Sequence, residues 1–285
     1  MPVFVVMDEN LVTKELIEEA EIAFHARFKS VADFETSLSL SLKQANQVEA
    51  GEAVVKRPEQ QMLVKRSSSS LVAESLLCKH LGWSMVVENA AGMYRFDELV
   101  GVIRDVGQAA EQAPWVNLGP LTTTEVEALT PVVKGVIAPI ESVNKEVQRK
   151  VVPRSVLAGY ITMLSEARKI KRGVVVRLGV GERLDDLPLL FQFVETHKID
   201  RVAFVPFAVG KESRFSRVPS SLYCARWIAE ARIRFPGMVL VAGTSEKRVA
   251  EVGLFLRAGA NVITGFSGVS LFNSELARVV EEEVK

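Results

Sequence analysis

From Gln61 onward the chain alternates between short β-branched runs and segments of helical periodicity. The runs are QMLVKR (Gln61–Arg66), SMVVE (Ser84–Glu88), WVNLG (Trp115–Gly119), GVIAPIE (Gly135–Glu141), GVVVRLG (Gly173–Gly179), RVAFVPF (Arg201–Phe207), GMVLVAG (Gly237–Gly243) and NVITG (Asn261–Gly265). Helical segments such as FDELVGVIRDVGQAAEQ, LPLLFQFVETHK and SLYCARWIAEARIRF lie between them. Strictly alternating units of this kind point to a parallel sheet. Several runs are unbroken Val/Ile stretches, as expected of strands covered on both faces. Eight units predict an α/β fold: a closed (β/α)8, TIM-type barrel over residues 56–285. An open dinucleotide-binding sheet would carry a G-x-G-x-x-G turn early on, and none is present. Residues 1–55, with TKELIEEAEIAF as their clearest amphipathic stretch, read as an N-terminal helical extension.

A content of 48% apolar and 25% charged residues supplies ample material for a core. Thirty-five basic residues balance thirty-five acidic ones, so no global field draws the chain to nucleic acid or an anionic membrane. No apolar run approaches the roughly 20 residues that span a bilayer. MPVFVVMDEN lacks the basic start and long apolar stretch of a secretory signal, so the expected location is cytoplasmic. The two cysteines, Cys78 and Cys224, fall inside helical stretches and are expected to be buried, inert thiols. His25, His80 and His197 show no metal-ligand spacing.

Active sites of such barrels lie at the C-terminal ends of the strands. The residues there include Arg66, Ser67, Glu88, Asn89, Asn117, Glu141, Ser142, Arg177, Glu182, Pro206, Thr244 and Thr264. A mouth this polar, with carboxylates from three strands, is a candidate ligand site. Glu88, Asn89, Asn117, Glu141, Ser142, Arg177, Gly181 and Glu182 form the ligand-binding set. Lys65, Arg66, Ser67, Ser68, Thr244 and Thr264 form a candidate anion-binding set, since hydroxyls and amides at helix starts suit phosphate or sulfate. Serine run Ser67–Ser70 has a plainer alternative, capping the following helix and filling a gap.

The order of motifs resembles the biotin synthase-like branch of the radical S-adenosylmethionine superfamily. GVIAPIESVNKEVQRKVVP is similar to that branch's fourth strand and loop, a hydrophobic strand ending in Glu-Thr/Ser. GVVVRLGVGERLDDLPLLFQFV is similar to its fifth strand and glycine turn, RVAFVPFAVGKES to its sixth. ARIRFPGMVLVAGTSEKRVAEVGLFLRAGANVITG looks like its closing strands. The resemblance runs from about Met62 to the C-terminus. It implies S-adenosylmethionine or a derivative as ligand, with Glu141 toward the ribose or methionyl part. It also implies Glu88, Asn89 and Ala90 near the methionyl amine, and Gly179, Gly181 and Glu182 near the adenine. A loop-bracing role for Glu141, and a helix-start role for Glu182, are the alternatives.

One departure bears on the chemistry. Members of that superfamily hold a four-iron cluster with a C-x3-C-x2-C loop after the first strand, where this sequence has serines. Serine is a hard ligand that stays protonated near neutral pH, whereas cluster iron needs soft thiolates. No iron–sulfur cluster, and no radical cleavage, is therefore expected. The leading reading is a cluster-less barrel that binds a small molecule, either a non-radical enzyme or a partner of a cluster-bearing homologue in cofactor-type biosynthesis. Self-association is the other partner expectation. Two further readings stand beside it: a lyase or aldolase using Mg2+ or Mn2+ held by Glu88, Glu141 and Glu182, and a non-catalytic binding or assembly protein.

Overall fold

The computed structural model describes residues 39–45, 57–63, 68–88, 94–151, 154–207, 218–266 and 274–284. Eight parallel strands close into a barrel in chain order: β1 (Arg57–Leu63), β2 (Ser84–Glu88), β3 (Trp115–Asn117), β4 (Gly135–Glu141), β5 (Lys171–Leu178), β6 (Arg201–Pro206), β7 (Val239–Gly243) and β8 (Val262–Phe266). Each strand hydrogen-bonds its sequence neighbours, and β1 pairs with β8 to complete the ring. The helices between and after them are α1 (Ser68–Leu81), α2 (Phe96–Ala110), α3 (Thr123–Leu129), α4 (Lys145–Val151), α5 (Arg154–Glu166), α6 (Leu187–His197), α7 (Ser221–Arg234), α8 (Val252–Arg257) and α9 (Glu275–Val284). Residues 39–45 are helical, and the rest of the expected N-terminal extension lies outside the described residues.

Local sequence explains where the helices start. At α3, Thr122 and Glu125 cap each other: the Thr122 amide donates to the Glu125 carboxylate at 2.7 Å, and the Glu125 amide to the Thr122 hydroxyl at 3.3 Å. At α7 the Tyr223 amide donates to the Ser220 hydroxyl at 3.2 Å. The described part of the serine run, Ser68–Ser70, forms the first turn of α1 rather than a loop. Serine suits a helix start because its short polar side chain can serve first-turn N–H groups that have no partner within the helix. Lys65, Arg66 and Ser67 lie outside the described residues.

The apolar material divides into two layers. The larger fills the space between the outer face of the barrel and the helices, and it includes Met62, Ile103, Leu129, Leu164, Phe204, Trp227 and Phe255. A smaller one occupies the barrel interior, formed by Val86, Trp115 and Ile137 on one side and Ala203, Val241 and Val262 on the other, with Val175 touching both groups. Cys78 and Cys224 are buried in the outer layer, where burial pushes both thiols up to about 12.

The largest difference from the expected elements is at β1, which begins at Arg57, four residues before the β-branched run. The reason lies inside the barrel. Glu59, almost fully buried, accepts two hydrogen bonds from the equally buried Arg201 of β6, one from Nη2 at 2.6 Å and one from Nη1. The Arg201 guanidinium also lies 5.1 Å from the centre of the Trp115 ring. Gly135 makes room for that ring, because a Cβ there would come within 2.5 Å of it. A charged, Pro-containing stretch thus serves as a barrel strand because its inward carboxylate finds a partner across the lumen. On the outer face Gln60 donates to the buried Glu74 of α1 at 2.9 Å, fastening the first helix to the first strand.

Candidate functional site at the barrel mouth

Side chains alternate between lumen and helices along each strand. Val86, Trp115, Val175 and Val262 face the lumen, so Glu88, Asn117, Arg177 and Thr264, two residues further on, face it at the C-terminal end. Glu88 and Asn117 are register neighbours on β2 and β3, so their side chains stand side by side at the mouth. Burial pushes the Glu88 carboxyl above the usual range, the Asn117 amide opposes this, and Glu59, Arg201 and Arg177 act on it from other strands. These influences from β1, β3, β5 and β6 place the carboxyl in the lumen.

That placement has a pH signature. A carboxyl with a raised folded-state pKa binds its proton more tightly in the folded chain than in the unfolded one. Stability then falls as pH rises from the ordinary glutamate value of about 4.3 through the folded-state value, and stays lower above it. Glu88→Gln keeps a hydrogen-bonding group for Asn117 and removes the ionisation. We expect it to unfold at a higher temperature than the parent at pH 8, with the gap closing toward pH 4. A gap of constant size across that range would place Glu88 outside the lumen.

Glu141 ends β4 just after a register shift between Pro139 and Glu141. Its backbone has φ 61°, a left-handed conformation that costs a non-glycine residue of order 1–3 kcal/mol. Its carboxylate is ion-paired with Arg177 of β5, bonded by Nε and by Nη2, the latter at 3.3 Å. Both partners keep some solvent contact, 16% for the Glu141 side chain and 32% for Arg177.

The two loops beside this pair are braced internally. Ser142, buried, accepts from the Asn144 amide at 3.2 Å. Asn144 caps α4 by accepting from Glu146, and its own amide group donates to Asp186 at 3.0 Å. Gln148 donates to the Ser142 carbonyl at 2.8 Å. In the next loop Gly179 and Gly181 have φ of 95° and 106°, which glycine alone adopts at no steric cost. The Glu182 carboxylate accepts from the Gly179 and Val180 amides at 2.7 and 2.9 Å, and Tyr223 donates its hydroxyl to the Glu182 carbonyl. Burial raises the Glu182 carboxyl, while these backbone bonds hold it down. Ser142 and Glu182 therefore hold the loop backbone, and the carboxylate expected to face a ligand is committed to its own turn.

Of the candidate anion set, Thr244 is half-buried and donates its hydroxyl to the Arg248 carbonyl at 3.1 Å. Thr264 is buried, and its hydroxyl has no hydrogen-bond partner among the described residues. An unsatisfied buried hydroxyl costs about 1–3 kcal/mol, so the floor of the mouth offers an open polar contact. Ser68 sits in the first turn of α1, and Asn89, like Lys65, Arg66 and Ser67, lies outside the described residues.

The structure thus gathers Glu88, Asn117, Glu141, Arg177 and Thr264 at one mouth. Glu88, Glu141 and Glu182 have separate partners, and among the described residues no group of three His, Cys, Asp or Glu could hold a metal ion. Cys78 and Cys224, the only cysteines in the sequence, are buried in helices and stay protonated near neutral pH. They do not fit a three-thiolate cluster. Sequence reasoning missed Glu59, Arg201, Asn144 and Tyr223. For Arg201 a signal existed, a lone charge opening the otherwise apolar run RVAFVPF. Among the described residues no helix is long and apolar enough to cross a membrane.

No family model matches the chain. A protein of Methanocaldococcus jannaschii described as "Uncharacterized protein MJ0597" is 24% identical over 290 residues, covering 97% of this chain and 80% of the relative. The fold is similar to that of methylornithine synthase (PylB), with a TM-score of 0.73 at 14% identity over 86% of this chain and 80% of the other. HydG, a maturase of the [FeFe]-hydrogenase, gives 0.64 at 11% identity over 91% and 72%. The HpcH/HpaI aldolase from Desulfitobacterium hafniense DCB-2 gives 0.52 at 14% identity over 81% and 93%. At these identities the likeness concerns the fold: this chain is a (β/α)8 barrel whose structural neighbours include a methylornithine synthase, a hydrogenase maturase and an aldolase.

Proposed function

We propose that this chain is a cluster-less barrel of radical S-adenosylmethionine type that binds a small adenosyl compound at its C-terminal mouth. It acts either as a non-radical enzyme or as the partner of a cluster-bearing homologue in cofactor-type biosynthesis. The observation that carries this reading is Glu141. A glutamate held in left-handed backbone is kept only where its surroundings over-determine it, and such strain concentrates at functional sites. Its carboxylate has about four acceptor positions, of which Arg177 takes two, leaving capacity for a ribose diol. Gly179 and Gly181, in a turn pinned by Glu182, let backbone approach a flat base closely. Thr264 and the Glu88–Asn117 pair are the polar groups left to meet the rest of the ligand.

The test is calorimetric titration and thermal shift with S-adenosylmethionine, S-adenosylhomocysteine and methylthioadenosine, and separately with Mg2+ and Mn2+. At least one adenosyl compound is expected to bind, and Glu141→Gln to weaken it tenfold or more, about 1.4 kcal/mol. Stabilisation by the divalent ions alone would favour a metal-assisted lyase or aldolase instead. No response to either, with another protein co-purifying, would favour an assembly role.

A further inference from the structure

On the face opposite the mouth, a cavity of about 400 Å3 opens among the residues that lead into β4, β5 and β6. Six cationic side chains line it: Lys134, Arg168, Lys169, Lys171, Arg172 and Lys198. They face one carboxylate, Asp200, which already accepts from the Arg172 amide at 2.8 Å. In a chain whose 35 basic and 35 acidic residues balance, that is a strong local imbalance. None of the six forms an ion pair among the described residues.

The arrangement is partly fixed in place. Arg172 donates Nε to the Ala167 carbonyl at 3.0 Å and Nη1 to the His197 carbonyl at 2.8 Å, which locks its guanidinium between two loops. Lys134 and Lys171 are drawn together by the sheet itself, since the Lys171 amide donates to the Lys134 carbonyl at 3.2 Å. Lys134 is half-buried, and burial, with Arg57, Lys171 and Arg201 nearby, holds its ammonium below the usual lysine range. Like charges crowded around a single carboxylate destabilise the empty protein and attract anions.

We propose that this cavity is a second ligand site, for a small polyphosphate, either a free di- or triphosphate or the phosphate chain of a nucleotide. Its volume lies within the range of small-molecule pockets. A single monoanion would leave most of the cations uncompensated, whereas a phosphate chain offers several charges and many acceptor oxygens to arginine forks and lysine donors. The site is independent of the adenosyl reading of the mouth.

The full chain should be titrated calorimetrically at about 150 mM salt, where non-specific attraction is screened beyond roughly 8 Å. The probes are inorganic phosphate, pyrophosphate, tripolyphosphate and ATP. Saturable one-site binding of a polyphosphate is expected, at least tenfold tighter than that of phosphate. It should weaken tenfold or more in the Lys134→Gln/Lys171→Gln double variant, whose unliganded thermal midpoint should equal or exceed the parent's. ATP binding tighter than tripolyphosphate identifies a nucleotide, and the reverse order an inorganic chain. Glu141→Gln should leave this binding intact, which separates the site from the mouth. The proposal is overturned by absence of saturable binding, by equal binding of phosphate and polyphosphate, or by a double variant that binds as well as the parent.

Discussion

Arg201→Leu is expected to lower the stability of the barrel by about 3–5 kcal/mol, the ordinary consequence of leaving one member of a buried ion pair without its partner. Glu59 would then hold an uncompensated carboxylate inside the lumen, almost wholly shielded from solvent. The attraction of the guanidinium to the Trp115 ring would be lost as well. The double variant Glu59→Leu/Arg201→Leu removes both charges, and replacing a buried pair by apolar groups of similar volume is often neutral or stabilising. It should therefore regain most of what the single variant loses. Urea unfolding of the parent, the single variants and the double variant closes the cycle. A double variant as unstable as Arg201→Leu would show that the arginine acts through packing and not through the pair.

Gly265→Ala should cost at least about 2 kcal/mol, because two separate penalties coincide there. Gly265 has φ 102°, and a Cβ on it would lie 2.1 Å from the Thr244 carbonyl oxygen, which is backbone and cannot swing aside. Relief requires β8 and the loop after β7 to separate, displacing Thr264 from the floor of the mouth. Gly82→Ala is the control, since Gly82 shares the positive φ, at 69°, but a Cβ added there would meet nothing within 4 Å. It should cost only about 1–2 kcal/mol, the backbone penalty alone. If both substitutions destabilise equally, the close approach of the two strands is not what holds glycine at 265. Adenosyl binding measured in Gly265→Ala should also fall, if the mouth is the ligand site proposed above.

The eight-fold alternation was visible in the chain because parallel strands buried on both faces must be Val/Ile-rich, and the helices between them must be amphipathic. β2 and β4 occupy the residues expected, Ser84–Glu88 and Gly135–Glu141. β1 was harder to see because three of its first five residues are Pro58, Glu59 and Gln60, and only a partner 142 residues away explains a glutamate facing inward. Period-two alternation says that a side chain faces the lumen. It does not say which charge stands across from it.

The same distinction runs through the mouth. Counting from the strand ends was enough to select Glu88, Asn117, Glu141, Arg177 and Thr264, because position along a strand sets which end of the barrel a residue occupies. It could not separate Glu141 from Glu182, two glutamates at neighbouring strand ends. Glu141 turns to Arg177 through a register shift and a left-handed backbone, whereas Glu182 folds back onto the amides of its own turn. Nor could it find the basic cavity, whose lining comes from three loops separated by up to 70 residues. Architecture and the location of polar residues follow from local pattern, because burial imposes a period on each element. Partnership between those residues depends on register, closure of the ring and backbone conformation at single positions, which no local pattern encodes.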